Sequence, residues 1–223
     1  GMRFTNAYAA SPVCSPTRAS ILSGKSPARL NITDWIPGAD PRDRPLLGTE
    51  DQHALPLKEL TFAERLQAQG YQTAFFGKWH LGSEGFWPED QGFELNKGGH
   101  DAGQPATYFY PYQKGNRFDV PGLGDGAAGE YLTDRLTDES IQFITAHQDQ
   151  PFLLFLSHYA VHTPIEAKDT LLQKYEQKLS GDAPVFEPER DSWTRQQQDN
   201  PAYAAMVASV DESIGRILQR LEA

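Results

Sequence analysis

The sequence predicts an α/β fold with a mostly parallel central sheet flanked by helices, and three observations carry that expectation. Two continuous apolar runs without alternation, Tyr71 to Phe76 and Phe152 to Ser157, are bounded by Gly70, Gly77 and Pro151 and read as buried parallel strands. Segments of helical periodicity precede and follow them, giving the order helix, strand, helix, strand, helix. The 223 residues are 39% hydrophobic and 11% aromatic, enough apolar material for a folded core.

The elements follow in order. Thr61-Phe62-Ala63-Glu64 has the spacing of a capping box, in which hydroxyl and carboxylate each satisfy a backbone N–H. Gly70 is placed to end that helix, so about ten helical residues feed the Tyr71 strand. Leu132, Leu136, Phe143 and Ile144 share one helical face and predict a helix before the Phe152 strand. Met206, Val207, Val210, Ile214, Leu218 and Leu221 form an apolar stripe that predicts a helix from Ala202 to the end. Between these, Ile32 to Leu55 and Gly82 to Gly129 are Gly/Pro-rich and weakly periodic, and loops of that length in a compact domain are usually functional. No repeat, low-complexity tract or linker divides the chain, which reads as one unit over 1–223.

Composition excludes some partners. The net charge of −10 argues against a nucleic-acid backbone, which is bound through clustered Lys and Arg. No apolar run approaches the roughly eighteen residues of a membrane helix, so a soluble protein without a membrane span is expected. The acid excess lies almost wholly after residue 100, whereas Arg3, Arg18, Lys25 and Arg29 open the chain with no carboxylate before Asp34. Such a locally positive entrance suits an anionic group on a small substrate. The single cysteine, Cys14, excludes an intramolecular disulfide and a cysteine-based zinc cluster.

Three constellations carry chemistry. In Ser11-Pro12-Val13-Cys14-Ser15-Pro16-Thr17-Arg18 two prolines bracket the cysteine, and Thr17 to Ser23 read as helical turns closed by Gly24. Cys14 then lies at or just before a helix N-terminus, where free N–H groups favour anions, and Arg18 adds a planar bidentate donor one turn on. In Phe75-Phe76-Gly77-Lys78-Trp79-His80-Leu81-Gly82 a cation and an imidazole emerge two residues apart at the C-terminal end of a strand, on one side of an extended segment. His158-Tyr159-Ala160-Val161-His162-Thr163-Pro164 follows the second strand; His162 is the site candidate and His158, nearer the strand, reads as structural. His147 reads as a helix-end residue, and His53 has no context. His100, Asp101, Gln104 and Tyr108 form a polar, aromatic-rich cluster suited to a sugar, with rings stacking on tyrosine and hydroxyls taking hydrogen bonds.

These residues resemble the type I sulfatases. Cys14-Ser15-Pro16-Thr17-Arg18 matches the family's Cys-x-Pro-x-Arg signature together with its flanks. Gly70-Tyr71-Gln72-Thr73 through Gly77-Lys78-Trp79-His80-Leu81-Gly82 matches its second signature at every fixed position, and His162 before Thr163-Pro164 resembles its His-x-Pro element. The resemblance implies an alkaline-phosphatase-like layered fold and hydrolysis of sulfate esters, with Cys14 oxidised by a formylglycine-generating enzyme to Cα-formylglycine, whose hydrate supplies the nucleophile. It further implies that Arg18 holds the diol, that Lys78 and His162 bind the sulfate and assist the leaving oxygen, and that His80 takes the proton that lets sulfate leave. A Ca²⁺ ion, with the modified Cys14 among its ligands, is also implied. The substrate is expected to be a sulfated sugar recognised through His100, Asp101, Gln104 and Tyr108.

The resemblance covers the chain, but the chain covers only the middle of the family's catalytic domain. The family's paired aspartates lie upstream of the Cys signature, its Asp-Asn pair and second lysine lie downstream of the last helix, and Asp211 does not match them. The fold is therefore expected to be incomplete at both ends, with poor Ca²⁺ binding and little hydrolysis by 223 residues alone. Two further readings stand beside the sulfatase one: a phosphate or phosphonate ester hydrolase of the same superfamily, and a catalytically incomplete glycan-binding fragment. No leader is visible after Gly1-Met2-Arg3, and only the resemblance points to periplasm, cell surface or lysosome.

Overall fold

The computed structural model describes residues 2–38, 45–46, 48, 50–115, 120–179 and 181–223. Parts of the two long Gly/Pro-rich segments, 32–55 and 82–129, lie outside the described residues.

A three-stranded parallel sheet organises the chain, in the order β2-β1-β3. β1 (Gln72–Gly77) and β3 (Phe152–Ser157) are the two apolar runs, paired residue for residue from Gln72↔Phe152 to Gly77↔Ser157. β2 (Leu95–Lys97) flanks β1 on its other side. Its three residues carry no period of their own, so the sequence alone reads them as loop. The expectation that both apolar runs are buried holds for β1, from Thr73 to Gly77, and not for β3. Every β3 residue is partly exposed, because β3 is an edge strand among the described residues, with a neighbour on one side.

Side-chain alternation splits the core between the two faces of the sheet. Phe75, Leu153 and Phe155 turn to one face, where they meet α1 (Cys14–Ser23) through Ala19 and Leu22, and α3 (Phe62–Gln67) through Ala63. Phe75 and Phe155 stack across the strand pair with ring centroids 5.4 Å apart. Ala74, Phe76, Leu154 and Leu156 turn to the other face, against α4 (Leu132–Ala146) and α6 (Pro201–Glu222). Each fully buried Phe or Leu contributes about 1.5–3 kcal/mol, so these two layers dominate the stability of the fold.

The helix expectations hold with three corrections. α3 has its capping box at Thr61 and Glu64, but regular helix covers six residues and the chain tightens into a turn before Gly70. α1 begins at Cys14 rather than after Pro16. Pro16 fits because the first helical N–H groups have no intrahelical acceptor, so a missing one costs nothing there. α6 packs through Ala205, Met206, Ser209 and Ser213, while Val207, Ile214, Leu218 and Leu221 stay about half exposed. The small residues admit close approach to α4, where Thr137 Oγ1 lies 2.6 Å from Ser213 Oγ, and this turns most of the apolar stripe outward.

Short α2 (Pro27–Leu30), a 3₁₀ turn (Pro88–Gln91), α5 (Asp169–Glu176) and the exposed antiparallel hairpin of β4 (Phe186–Glu189) and β5 (Ser192–Arg195) complete the description. No helix among the described residues is long and apolar enough to cross a membrane.

Candidate active site

The site forms where the C-terminal ends of β1 and β3 meet the N-terminus of α1. Ser11 and Thr17 lock the approach to α1: Ser11 N–H donates to Thr17 Oγ1 at 3.0 Å and Thr17 Oγ1 donates to Ser11 O at 2.8 Å. Cys14 is the first helical residue, a free and partly buried thiol. Gly77 ends β1 with φ +100°, and a Cβ there would lie 2.0 Å from Ser157 O, so glycine is required for the strand ends to come this close. Lys78 N–H then donates to Ser157 O at 2.7 Å.

Lys78 and His80 are both 5% exposed and both come close to Cys14, Lys78 by a side-chain hydrogen bond and His80 in the lining of the same cavity, though not by strand alternation. His80 adopts φ +58°, outside the extended region, and is held there by its neighbours. Its N–H donates to His100 O at 3.0 Å, and its carbonyl accepts from Ser15 Oγ at 2.9 Å. Its Nε2 lies 2.5 Å from Ile36 O. A carbonyl oxygen only accepts, so Nε2 carries the proton and Nδ1 keeps its lone pair. That Nδ1 is buried and has no hydrogen-bond partner among the described residues. Burial pulls His80 down to about 4, with the positive charges of Lys78 and Arg18 adding to the effect, so the ring is a neutral base at pH 7.

The Lys78 side chain is hydrogen-bonded to Cys14, and burial lowers its proton affinity. Arg18 is drawn down to about 10 by burial. The free bidentate fork expected of it is not what the structure holds: Nε donates to Trp79 O at 2.7 Å, and Nη2 donates to Lys78 O and Ser157 Oγ. Arg18 thereby straps α1 onto the ends of both strands while its charge still reaches Cys14. Of the basic entrance read from the sequence, Lys25 is spent in an ion pair with Glu59.

A cavity of about 690 Å³ opens over Cys14, lined also by Trp35, His80, Asp101, Gln104 and His162. His162 is exposed, with Nδ1 3.1 Å from Thr163 Oγ1, and burial lowers its proton affinity. Gln104 accepts from Thr163 Oγ1 at 3.3 Å. His100 is buried with Nδ1 3.2 Å from the Asp101 carboxylate. Tyr108 does not present a ring to the cavity: it is fully buried and donates its hydroxyl to His162 O at 2.9 Å, which makes it a prop under His162. Glu166 holds this segment in turn, accepting from Thr107 Oγ1 and Tyr108 N–H. His158 lies apart, with Nε2 3.1 Å from Ser213 Oγ between β3 and α6.

Sequence reasoning missed Ser15, Trp35, Ile36 and Gly103. Ser15 Oγ also accepts from Ile36 N–H at 3.0 Å, which ties α1, His80 and the 33–37 segment into one unit. A Cβ on Gly103 would lie 2.6 to 3.0 Å from three atoms of the His80 ring. Ser15 was visible inside the cysteine motif; the others acquire meaning only when chain segments far apart in sequence converge.

The orphaned, buried Nδ1 of His80 is an unfilled acceptor on a ring that lines the same cavity as Cys14, so the residues are compatible with a hydroxyl-bearing, oxidised Cys14 side chain. They do not make up a cation site: among the described residues no three His, Cys, Asp or Glu side chains converge as metal ligands.

A thiol at a helix N-terminus, with the Lys78 side chain hydrogen-bonded to it and the Arg18 charge reaching it, opens onto a cavity that the neutral imidazole of His80 also lines, which defines an anion-handling site at the carboxyl end of a parallel sheet. The sulfatase family model matches residues 1–223, and the chain belongs to that family. It is 31% identical over 248 residues to the uncharacterized sulfatase YdeN of Escherichia coli (strain K12), covering all of this chain and 38% of that protein. It is 28% identical over 239 residues to the human N-acetylgalactosamine-6-sulfatase, covering all of this chain and 40% of that protein. Among solved structures, Ps i-CgsB in complex with k-i-k-neocarrahexaose superposes with a TM-score of 0.68 at 24% identity, over 96% of this chain and 46% of that one. The chain thus spans about two-fifths of the length of the curated relatives it matches. The layered sheet is the alkaline-phosphatase-like fold of such sulfatases.

Proposed function

We propose that the chain is the part of a sulfuric ester hydrolase catalytic domain that carries the nucleophile and the groups around the sulfate, and that its substrate is a sulfated sugar. The convergence of Cys14, Arg18, Lys78, His80 and His162 at the ends of β1 and β3, in a chain of the sulfatase family, carries this reading. The names of the human relative and of the carrageenan-oligosaccharide complex support the sugar.

Formylglycine at position 14, made by a formylglycine-generating enzyme, would supply as its hydrate a hydroxyl nucleophile for sulfur. The other residues act as follows. Lys78, buried and cationic, offsets the charge on the sulfate oxygens at a place where water screens little. Arg18 adds its charge and fixes Cys14 relative to the strand ends. His80 accepts a proton at Nδ1, because Ile36 O holds the proton at Nε2. His162, which lines the cavity and is held by Tyr108 and Thr163, binds the sulfate and together with Lys78 assists the leaving oxygen. Asp101 and Gln104 contact the substrate, and buried His100 positions Asp101. A divalent cation, Ca²⁺ in this family, would take its remaining ligands from outside the chain.

Peptide mass spectrometry on the fragment carrying Cys14, after co-expression with a formylglycine-generating enzyme, tests the reading. An aldehyde in place of the thiol, followed by faster turnover of aryl sulfate than aryl phosphate by the full-length protein, is expected. An unmodified thiol beside a converting control, or a preference for phosphate, refutes it.

A further inference from the structure

The cavity over Cys14 has one wall that belongs to no motif. Trp35 and Ile36 line it from a segment that the sequence presents as loop. Trp35 is 41% exposed, so its indole offers a broad apolar surface to whatever enters. Its backbone is fixed all the same. Thr33 donates from N–H and Oγ1 to Asp51 Oδ1 at 2.8 and 2.7 Å, and Trp35 N–H donates to Asp34 Oδ1 at 2.8 Å. Ile36 N–H donates to Ser15 Oγ, and Ile36 O accepts from His80 Nε2. The two bonds of Ile36 fasten the segment to the helix that starts at Cys14 and to the neutral base. A surface so held costs little further ordering when a ligand packs on it.

The same cavity has a polar sector in Asp101, whose side chain is 63% exposed, and Gln104, steadied by Thr163. A ligand that satisfies both sectors needs an apolar face and a rim of hydroxyls. A pyranose ring has both. An aryl group would use the indole and make no hydrogen bond to the carboxylate or the amide, and an alkyl chain has no flat face to offer.

We propose that Trp35 is a specificity-determining residue: its indole packs against one face of the pyranose ring that carries the sulfate, while Asp101 and Gln104 hydrogen-bond that ring's hydroxyls. The position of the sulfate rests on the function proposed above; the role of Trp35 as a sugar platform takes over the stacking that buried Tyr108 cannot perform.

The test uses the full-length protein with Cys14 left unmodified, so that bound esters are not turned over. Isothermal titration measures inorganic sulfate, the 6-sulfates of galactose, N-acetylgalactosamine and N-acetylglucosamine, and p-nitrophenyl sulfate, against wild type, Trp35→Ala, Trp35→Phe and Gln104→Ala. The expected result is that at least one sugar sulfate binds more tightly than inorganic sulfate and loses about tenfold in Trp35→Ala, with Trp35→Phe keeping most of the affinity. Inorganic sulfate should bind wild type and Trp35→Ala alike, and Gln104→Ala should weaken the sugar sulfate but not p-nitrophenyl sulfate. A sugar sulfate that binds wild type and Trp35→Ala equally overturns the proposal, as does p-nitrophenyl sulfate binding tighter than every sugar in a Trp35-dependent way. Failure of inorganic sulfate and every ester to bind refutes the sulfatase reading itself, a distinct outcome.

Discussion

Replacing Ser15 by Ala is expected to destabilise the fold far more than loss of one hydroxyl from a surface would. Ser15 is fully buried. Its Oγ donates to His80 O at 2.9 Å and accepts from Ile36 N–H at 3.0 Å. Alanine leaves the buried His80 O and the partly buried Ile36 N–H without that partner; a fully buried group so orphaned costs about 1–3 kcal/mol, a partly buried one less. The methyl also leaves a gap too small for water to fill and repair the two bonds. Taken together, Ser15→Ala should lower the unfolding free energy by roughly 2–4 kcal/mol, read as a shift of the urea midpoint at unchanged slope. Because the same hydroxyl ties His80 to Cys14 and the Trp35 segment, the matured full-length variant should also lose kcat, and the loss should persist under conditions where it is fully folded. A midpoint shift worth less than about 0.5 kcal/mol, the size of an ordinary surface change, would refute the argument that Ser15 is the junction of these three segments.

Gly77→Ala should be worse still, by more than about 3 kcal/mol, since the added Cβ falls 2.0 Å from Ser157 O at φ +100° and β1 and β3 must part to admit it; near-wild-type thermal unfolding would contradict this. Gly103→Ala should leave the sheet intact but push the His80 ring aside, so that activity falls roughly tenfold or more with a small stability change, measured as kcat alongside thermal melting. Burial holds His158 down to about 4, below the unfolded value of about 6.5. At neutral pH neither state is protonated there; between about 6.5 and 4 the unfolded chain binds the proton that the folded chain refuses, so stability falls as pH falls, by up to about 1.4 kcal/mol per unit. Titrating the unfolding free energy of wild type against His158→Gln should show a shallower acid slope in the variant, and equal slopes would sink the assignment.

Much of this molecule could be read from its residues because the relevant physics is local. The capping box at Thr61 and Glu64, the start of α1 beside Cys14, the apolar runs of β1 and β3 and the buried face of α4 each follow from spacing within one segment. Cys14, Arg18, Lys78, His80 and His162 stood out for the same reason, as residue types with chemistry at motif spacing. Local reasoning failed where a partner decides the outcome. The apolar stripe of α6 turned outward because Ser209 and Ser213 allow a closer fit to α4 than Val207 or Ile214 would. Tyr108 looked like a binding surface until its hydroxyl met His162 O and its ring was buried.

The sequence by itself determined the α/β layering, the family and the chemical types gathered at the site, since periodicity, turn chemistry and motifs are properties of neighbouring residues. The tertiary structure decided which nitrogen of His80 bears the proton, that Arg18 is a strap as well as a charge, and that Trp35 rather than tyrosine faces the cavity. Each of those depends on atoms contributed by segments dozens of residues apart: Ile36 O to His80, Ser157 Oγ to Arg18, and Ser15 Oγ to the Trp35 loop. A hydrogen bond fixes a tautomer or a rotamer only when its partner arrives, and the sheet is what brings these partners together.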